Sequence, residues 1–202
     1  MARSPIAAAA PVAVLDGWEV SQRRSTAALR LADLSPLAKV CVRAEEDSPA
    51  AAALQVGFGR ARRRPDGVLV VGSGPGEWLL VGPPASARTL AAGVPGGEDG
   101  GGRPVSVVDV THGRALIRLT GDDAARALAK VCAIDLRDRV TPDGTAFRSS
   151  VAKLAGDVVR DDVAGTRSYL VGCERSSGQY LFDALLDACA EFGGEVEGFQ
   201  PR

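Results

Sequence analysis

The sequence is poor in the side chains that carry most enzyme chemistry: one histidine, one methionine, two tryptophans and two tyrosines among 202 residues, with aromatics making up 4%. With His112 as the single histidine, acid–base work near neutral pH falls to that residue or to a carboxylate of raised pKa. No cysteine or glutamate lies at ligand spacing from it, which argues against a metal site. The four cysteines, Cys41, Cys132, Cys173 and Cys189, stand 91, 41 and 16 residues apart without a C-x-x-C pair. They read as small buried hydrophobes, not zinc ligands. No run approaches the ~18 apolar residues of a membrane span. Arg3 followed by apolar Ile6 to Leu15 has the outline of an export signal. Pro11 interrupts that run, however, and Asp16-Gly17-Trp18-Glu19 is no A-x-A-like cleavage site, so a cytoplasmic protein with reduced thiols is expected. The formal net charge of −1 offers no pull toward nucleic acid. Positive charge is carried almost wholly by arginine, with Lys39, Lys130 and Lys153 the only lysines, a bias that reflects genomic composition.

What is present is an ordered alternation of strands and helices. Residues 1–30 lack a sustained period and are expected to form an extended, loosely structured N-terminal arm. A first α+β half spans 31–92, with a strand at Leu37–Arg43, a helix capped by Ser48 and running to Leu54, strands at Val68–Val71 and Trp78–Val81, and a helix at Ala85–Ala92. Residues 93–104, dominated by glycine, proline and acidic side chains, read as a linker. A second half spans 105–195: strands at Val105–Val110 and Arg114–Leu119, a helix behind Gly121-Asp122-Asp123, strands at Phe147–Leu154, Asp157–Arg160 and Ser168–Cys173, and an amphipathic helix at Ser176–Phe192. Its apolar stripe includes Tyr180, Leu181, Leu185 and Phe192. Residues 196–202 are left as a tail. The halves echo each other, Asp33-Leu34-Ser35 with Asp109-Val110-Thr111 and Leu79-Leu80-Val81-Gly82 with Tyr169-Leu170-Val171-Gly172. The pattern predicts a pseudo-duplicated α+β fold of mostly antiparallel sheets with helices on one face.

No residue set assembles into a reactive centre, and no catalytic, cofactor-binding or metal-ligating residue is assigned. Asp109, Thr111 and His112 are close in sequence, but a strand turns neighbours to opposite faces, and the Gly113 that follows suits a turn histidine better than a catalytic base. Gly72-Ser73-Gly74-Pro75-Gly76 leads from strand to strand, not from strand to helix, so it is a hairpin turn and not a phosphate cradle. The acidic pairs Glu45-Glu46, Asp122-Asp123 and Asp161-Asp162 are expected to cap and solvate turns. Arg60, Arg62, Arg63 and Arg64 form the one basic cluster and read as a solvated loop. Trp18 stands out as a large aromatic in a segment with no evident core of its own. With Val14 and Leu15 it is expected to dock on a partner.

The run from Val107 to Ala115 (VVDVTHGRA), Leu119-Thr120-Gly121-Asp122-Asp123-Ala124, Leu128 and Cys132-Ala133-Ile134-Asp135-Leu136 resembles the D-x-S-H…G-x-D-A…L…C-x-x-D-L pattern of the folate-binding aminomethyltransferase superfamily. Further motifs resemble the gamma-subunit family of heterotetrameric sarcosine oxidases more closely: Leu34-Ser35-Pro36-Leu37, Gly76-Glu77-Trp78-Leu79-Leu80, Phe147-Arg148-Ser149-Ser150-Val151-Ala152-Lys153-Leu154 and Glu174 to Leu181. The resemblance covers roughly residues 32–192. It implies an aminomethyltransferase folate-binding-domain-like fold and a structural, non-catalytic place beside alpha, beta and delta subunits. That assembly would demethylate sarcosine to glycine and hydrogen peroxide and pass a one-carbon unit to tetrahydrofolate. FAD, FMN, NAD and tetrahydrofolate would reside in partner subunits and none in this chain; neither nucleic acid nor a membrane is an expected partner. Folate-using relatives carry a glycine-rich acidic loop after the strand equivalent to Phe147–Leu154. Here Leu154 to Arg160 passes almost directly into the next strand, as if the chain closed between Leu154 and Asp157. Asp157 is the only nearby carboxylate, and the folate role is not transferred to it. The alternative is a stand-alone folate-binding or aminomethyltransferase-like protein using Asp109 or Asp157; an RNA-associated module gripping through Arg60–Arg64 is a weaker third.

Overall fold

The structure is a computed structural model that describes residues 2–96 and 104–200. In chain order it forms β1 (Ala2–Arg3), β2 (Val12–Leu15), β3 (Trp18–Ser21), β4 (Arg30–Asp33), β5 (Ala38–Arg43), α1 (Pro49–Leu54), β6 (Ala61–Arg63), β7 (Leu69–Gly74), β8 (Glu77–Gly82) and α2 (Ala87–Ala92). There follow β9 (Ser106–Asp109), β10 (Arg114–Thr120), α3 (Ala124–Ala129), β11 (Ala146–Val151), β12 (Leu154–Arg160), β13 (Ser168–Glu174), a short 3-10 turn (Arg175–Ser177), α4 (Gly178–Ala190) and β14 (Glu195–Glu197). The linker expected at 93–104 falls mostly on residues outside the described ones.

Strands buried on both faces need cover on both faces, and the two main sheets supply it to each other. The six-stranded sheet runs β11-β12-β13-β10-β4-β14 and the five-stranded sheet β6-β7-β8-β5-β9. On β10, Ala115, Ile117 and Leu119 meet α3 and α4 through Leu128, Leu181 and Leu185. The alternate residue Leu116 points the other way, to Leu69, Val71 and Val81 of the second sheet. That sheet turns Val40, Val42, Trp78 and Leu80 outward beneath α1 and α2. The result is four layers, helix–sheet–sheet–helix, with each sheet covered by helices on one face, as the sequence pattern requires.

The two halves exchange strands. β4 precedes β5 in the chain yet pairs with β10, whereas β9 precedes β10 yet pairs with β5. The sheets therefore do not coincide with the halves 31–92 and 105–195. Both crossings are built alike, on the repeated Asp-x-Ser/Thr turns. Asp33 Oδ1 accepts from Ser35 N at 2.8 Å, and Asp109 Oδ1 from Thr111 N at 2.9 Å. The Ser35 hydroxyl then accepts from Leu116 N at 3.1 Å and the Thr111 hydroxyl from Lys39 N at 3.0 Å, so each turn fastens a strand of the other half. These side-chain-to-backbone bonds explain why both positions need a short oxygen-bearing residue.

The N-terminal segment is not a loose arm. β3 pairs in parallel with β1 and antiparallel with β2, and its burial alternates along Trp18-Glu19-Val20-Ser21. Trp18, 4% exposed, and Val20 enter the layer between the main sheets beside Phe199, and Ile6 joins the helix-covered core. Four residues were too few for the period-two pattern to register, and the alanines around them masked it. The C-terminal tail is likewise held, by β14 alongside β4 and by buried Phe199. Tyr180 departs from its expected place in the apolar stripe: it is 53% exposed, and its hydroxyl donates to Ala152 O at 3.1 Å. Ser48 caps α1 as expected, accepting from Ala51 N at 3.2 Å with Pro49 behind it. Asp123 makes no side-chain cap on α3 and bonds Arg126 at 2.7 Å instead.

Candidate functional site

Polar groups buried between the sheets mark where chemistry could reside, because each must find a partner or remain costly. Along β10 the inter-sheet face carries Arg114, Leu116, Arg118 and Thr120, so an apolar middle separates two charged ends. At one end, Lys39 interrupts the apolar strand β5 and is 1% exposed. Its ammonium donates to the carbonyls of Ser35 at 2.7 Å and Leu37 at 2.8 Å. Burial drives its pKa down to about 7 against the pull of Asp33 and Asp109. Asp33 is itself held above the ordinary carboxylate range by burial, despite hydrogen bonds from Ser35 and Ser4. Beside this lies a ladder of alternating charge across both sheets. Glu77 takes Arg43 at 2.9 Å and Arg148 at 3.7 Å; Asp157 takes Arg148 at 2.6 Å and, in a short contact, Arg114.

At the other end Asp161 is a buried hub. It accepts from Arg63 of β6 at 2.5 Å and from Arg118 of β10 at 2.6 Å, joining the two sheets. Burial raises its pKa, but the bonds and charge of the two guanidiniums outweigh burial and leave it lowered. This corrects one expectation and refines another. Asp161 does not solvate a turn. The arginine cluster is exposed at all four positions, as expected, but Ala61–Arg63 is a strand and not a loop, and its side chains are engaged: Arg63 with Asp161, Arg62 with Gln55 at 3.1 Å and Arg64 with Asp66 at 3.0 Å. The sequence concealed this because the partner lies 98 residues away. Asp162 is likewise engaged, taking Arg160 at 3.0 Å.

The remaining singled-out residues are dispersed. His112 sits in the turn between β9 and β10, its ring stacked on Trp18 with centroids 4.8 Å apart and planes 11° from parallel. Trp18 is thus used within the chain, not held out for a partner. Asp109 and Thr111 are consumed by the strand-crossing turn. All four cysteines are free thiols; burial pushes Cys173 and Cys189 up to about 11. Among the described residues no group of three or more His, Cys, Asp or Glu is placed to hold a metal ion. No helix among them is long and apolar enough to cross a membrane. The hairpin β11–β12 turns at Ala152 and Lys153, with φ of 48° and 67°, the left-handed pair of a two-residue hairpin turn. The chain therefore closes at Ala152-Lys153, ahead of the place between Leu154 and Asp157 inferred from sequence, and Leu154 to Asp157 is already strand paired with β11.

No family model matches the chain. A curated relative from Arthrobacter sp., sarcosine oxidase subunit gamma, is 27% identical over 183 residues, covering 86% of each chain. The chain is similar to sarcosine oxidase gamma subunits. A second gamma subunit, from Corynebacterium sp. (strain P-1), is 26% identical over 186 residues, covering 87% of each. Among solved structures, heterotetrameric sarcosine oxidase from Corynebacterium sp. U-96 in complex with pyrrole 2-carboxylate contains a chain that superposes with a TM-score of 0.68 at 26% identity, covering 86% of this chain and 90% of that one. The glycine cleavage system aminomethyltransferase T from Bartonella henselae superposes with a TM-score of 0.67 at 17% identity, a likeness of fold. It covers 93% of this chain and 55% of the transferase, so the gamma-like chain spans about half of that protein. The aminomethyltransferase-like, pseudo-duplicated α+β architecture expected from the motifs is the one observed.

Proposed function

We propose that this chain is a structural, non-catalytic gamma-type subunit of a heterotetrameric sarcosine oxidase. The observation that carries the reading is the similarity, over 86% of the chain, to a gamma subunit in sequence and to a chain of heterotetrameric sarcosine oxidase in fold. The local geometry supports it. Asp157, the one carboxylate available for a folate contact, is engaged by Arg114 and Arg148, and the β11–β12 turn spans two residues where a ligand-contacting loop would need more. In this role the chain contributes rigid surface, while FAD, FMN, NAD and tetrahydrofolate belong to partner subunits. The assembly oxidises the N-methyl group of sarcosine, yielding glycine, hydrogen peroxide and a one-carbon unit for tetrahydrofolate, in the cytoplasm. The edge strand β2, which leaves Val12, Val14 and Leu15 exposed, is the surface we assign to a partner subunit. An unpaired edge with apolar side chains is an invitation to association.

Co-expression with the alpha, beta and delta subunits tests this. The expected result is co-migration on size exclusion and loss of oxidase activity or assembly when this chain is omitted. A chain that elutes alone, with activity indifferent to it, overturns the proposal. Deleting residues 1–25 would remove Trp18 and Val20 from the core, so the interface is better probed by Val14→Asp, a substitution at a position 61% exposed.

A further inference from the structure

One edge of the six-stranded sheet is closed at both ends and open in the middle. β11 is its outermost strand and, among the strands, pairs only with β12. The Thr145 carbonyl accepts from Arg160 N at 2.8 Å, on the β12 side. By the alternation of an antiparallel pair, Ala146, Arg148, Ser150 and Ala152 then turn their N–H and C=O groups away from β12. Both ends bear this out: Ala146 N donates to Gly59 O at 3.0 Å and Ala152 N to Val131 O at 2.8 Å. The two covering segments run antiparallel to β11, at the bridges of Arg60 with Thr145 and of Cys132 with Val151, and then leave it. Between them the outward backbone groups of Arg148 and Ser150 meet no partner among the described residues, and both residues are exposed. From Ala146 to Ala152 the strand runs about 20 Å.

The rim of this gap is apolar and cationic. Phe58, 64% exposed, is fixed by its neighbour Gly59, whose N–H donates to Gly72 O at 3.0 Å in the other sheet while its carbonyl takes Ala146 N. Ile134, 39% exposed, follows the covering segment at the opposite end. Arg60 stands opposite Thr145 and Lys153 lies in the hairpin turn, one at each end of the gap. Both are exposed, and neither side chain makes a hydrogen bond or ion pair among the described residues. Arg148 differs, since Asp157 and Glu77 already take its charge. Open main-chain groups suit an extended chain, fixed apolar side chains suit apolar contact, and unpaired cations suit carboxylates.

We propose that β11 is a docking edge for an extended, acidic segment of a partner subunit, which adds antiparallel as a short strand across Arg148 and Ser150 with carboxylates toward Arg60 and Lys153. The gap admits about four paired residues. Main-chain bonds over so short a run grip weakly, and Phe58 and Ile134 supply apolar anchors at the two ends. The inference rests on the subunit reading and adds to the β2 surface a second contact, one that selects its partner by charge.

Hydrogen exchange at single-amide resolution, on the isolated chain and on the assembly co-expressed with alpha, beta and delta subunits, tests it. The amides of Arg148 and Ser150 are expected to exchange freely in the isolated chain and roughly tenfold or more slowly in the assembly. Ser150→Pro removes an outward N–H that β12 does not use, a change an edge strand tolerates. It should weaken association roughly tenfold, the scale of one hydrogen bond, whereas Ser150→Thr should associate like the parent. Arg60→Glu combined with Lys153→Glu should also weaken association and flatten its salt dependence. Near-UV circular dichroism of each variant distinguishes lost docking from lost fold. A chain that elutes alone overturns the subunit reading and this proposal together. An assembly whose two amides exchange as in the isolated chain, or which folded Ser150→Pro joins like the parent, overturns this proposal alone. Charge-reversed variants that assemble as tightly as the parent overturn the acidic occupant, and protection that grows with the isolated chain's own concentration overturns the partner subunit in favour of a second copy.

Discussion

Replacing Lys39 by methionine should flatten the pH dependence of stability just above neutrality. The folded-state pKa of about 7 lies well below the ordinary 10.5, so between these values the unfolded chain binds a proton that the folded chain does not. Stability contributed by this site therefore rises with pH, and falls as pH drops toward 7, where the folded chain must bury an ammonium. At about 1.4 kcal/mol per pH unit, integration from pH 7 to 8.5 gives an increase of roughly 1.6 kcal/mol. The neutral amine retains two N–H groups, enough for the carbonyls of Ser35 and Leu37. The window stops at 8.5 because Cys173 and Cys189, raised by burial to about 11, pull in the opposite direction once an unfolded thiol ionises. Urea unfolding at pH 7.0 and 8.5 measures the difference, with the Lys39→Met variant subtracting every other titrating group. Lys39→Met loses two hydrogen bonds and shifts in absolute stability, but the comparison rests on slope. If parent and variant change equally between the two pH values, Lys39 is not depressed and the argument fails.

Other consequences are as direct. Asp161→Asn leaves Arg118 buried without its counter-charge and should cost about 3 kcal/mol, read by denaturant midpoint; a hydrophobic replacement of both Asp161 and Arg118 should restore much of it. Trp18→Ala removes a buried indole from between the sheets and should cost about 3–5 kcal/mol, whereas an exposed partner anchor would leave the isolated chain's stability unchanged. Gly121 holds φ of +144°, and a Cβ there would press into the carbonyl of Ala28. Gly121→Ala should therefore lower thermal stability by several degrees, an effect of about 2 kcal/mol or more.

Local signals fixed most elements near their true bounds. Ser48-Pro49 started a helix, Gly74-Pro75-Gly76 turned a hairpin, and Leu-x-x-x-Leu spacing in Gly178–Ala190 set the last helix, because caps, turns and helical periods act over a few residues. The paired Asp-x-Ser/Thr motifs were visible too, although their purpose was not. Each is a bond to a strand 72 or 81 residues away, and sequence alone does not carry such register. The same holds for Asp161 with Arg63 and for Trp18 with His112, where pairs widely separated in the chain each looked like surface or spare residues. Lys39 gave the one legible warning: a lone lysine inside Leu-Ala-Lys-Val-Cys-Val, a run with apolar residues on both faces, has nowhere to hide its charge except in a built polar niche.

The exchange of β4 and β9 makes the chain, in effect, a domain-swapped dimer of half-molecules joined in one covalent strand. Separating the polypeptide between the halves would leave each fragment with a gap in its own sheet and a spare strand cut to fit the other's. Such fragments should be mutual ligands, recombining when mixed and aggregating when kept apart, and the intact chain should melt in a single transition because neither half has a closed state of its own to retreat to.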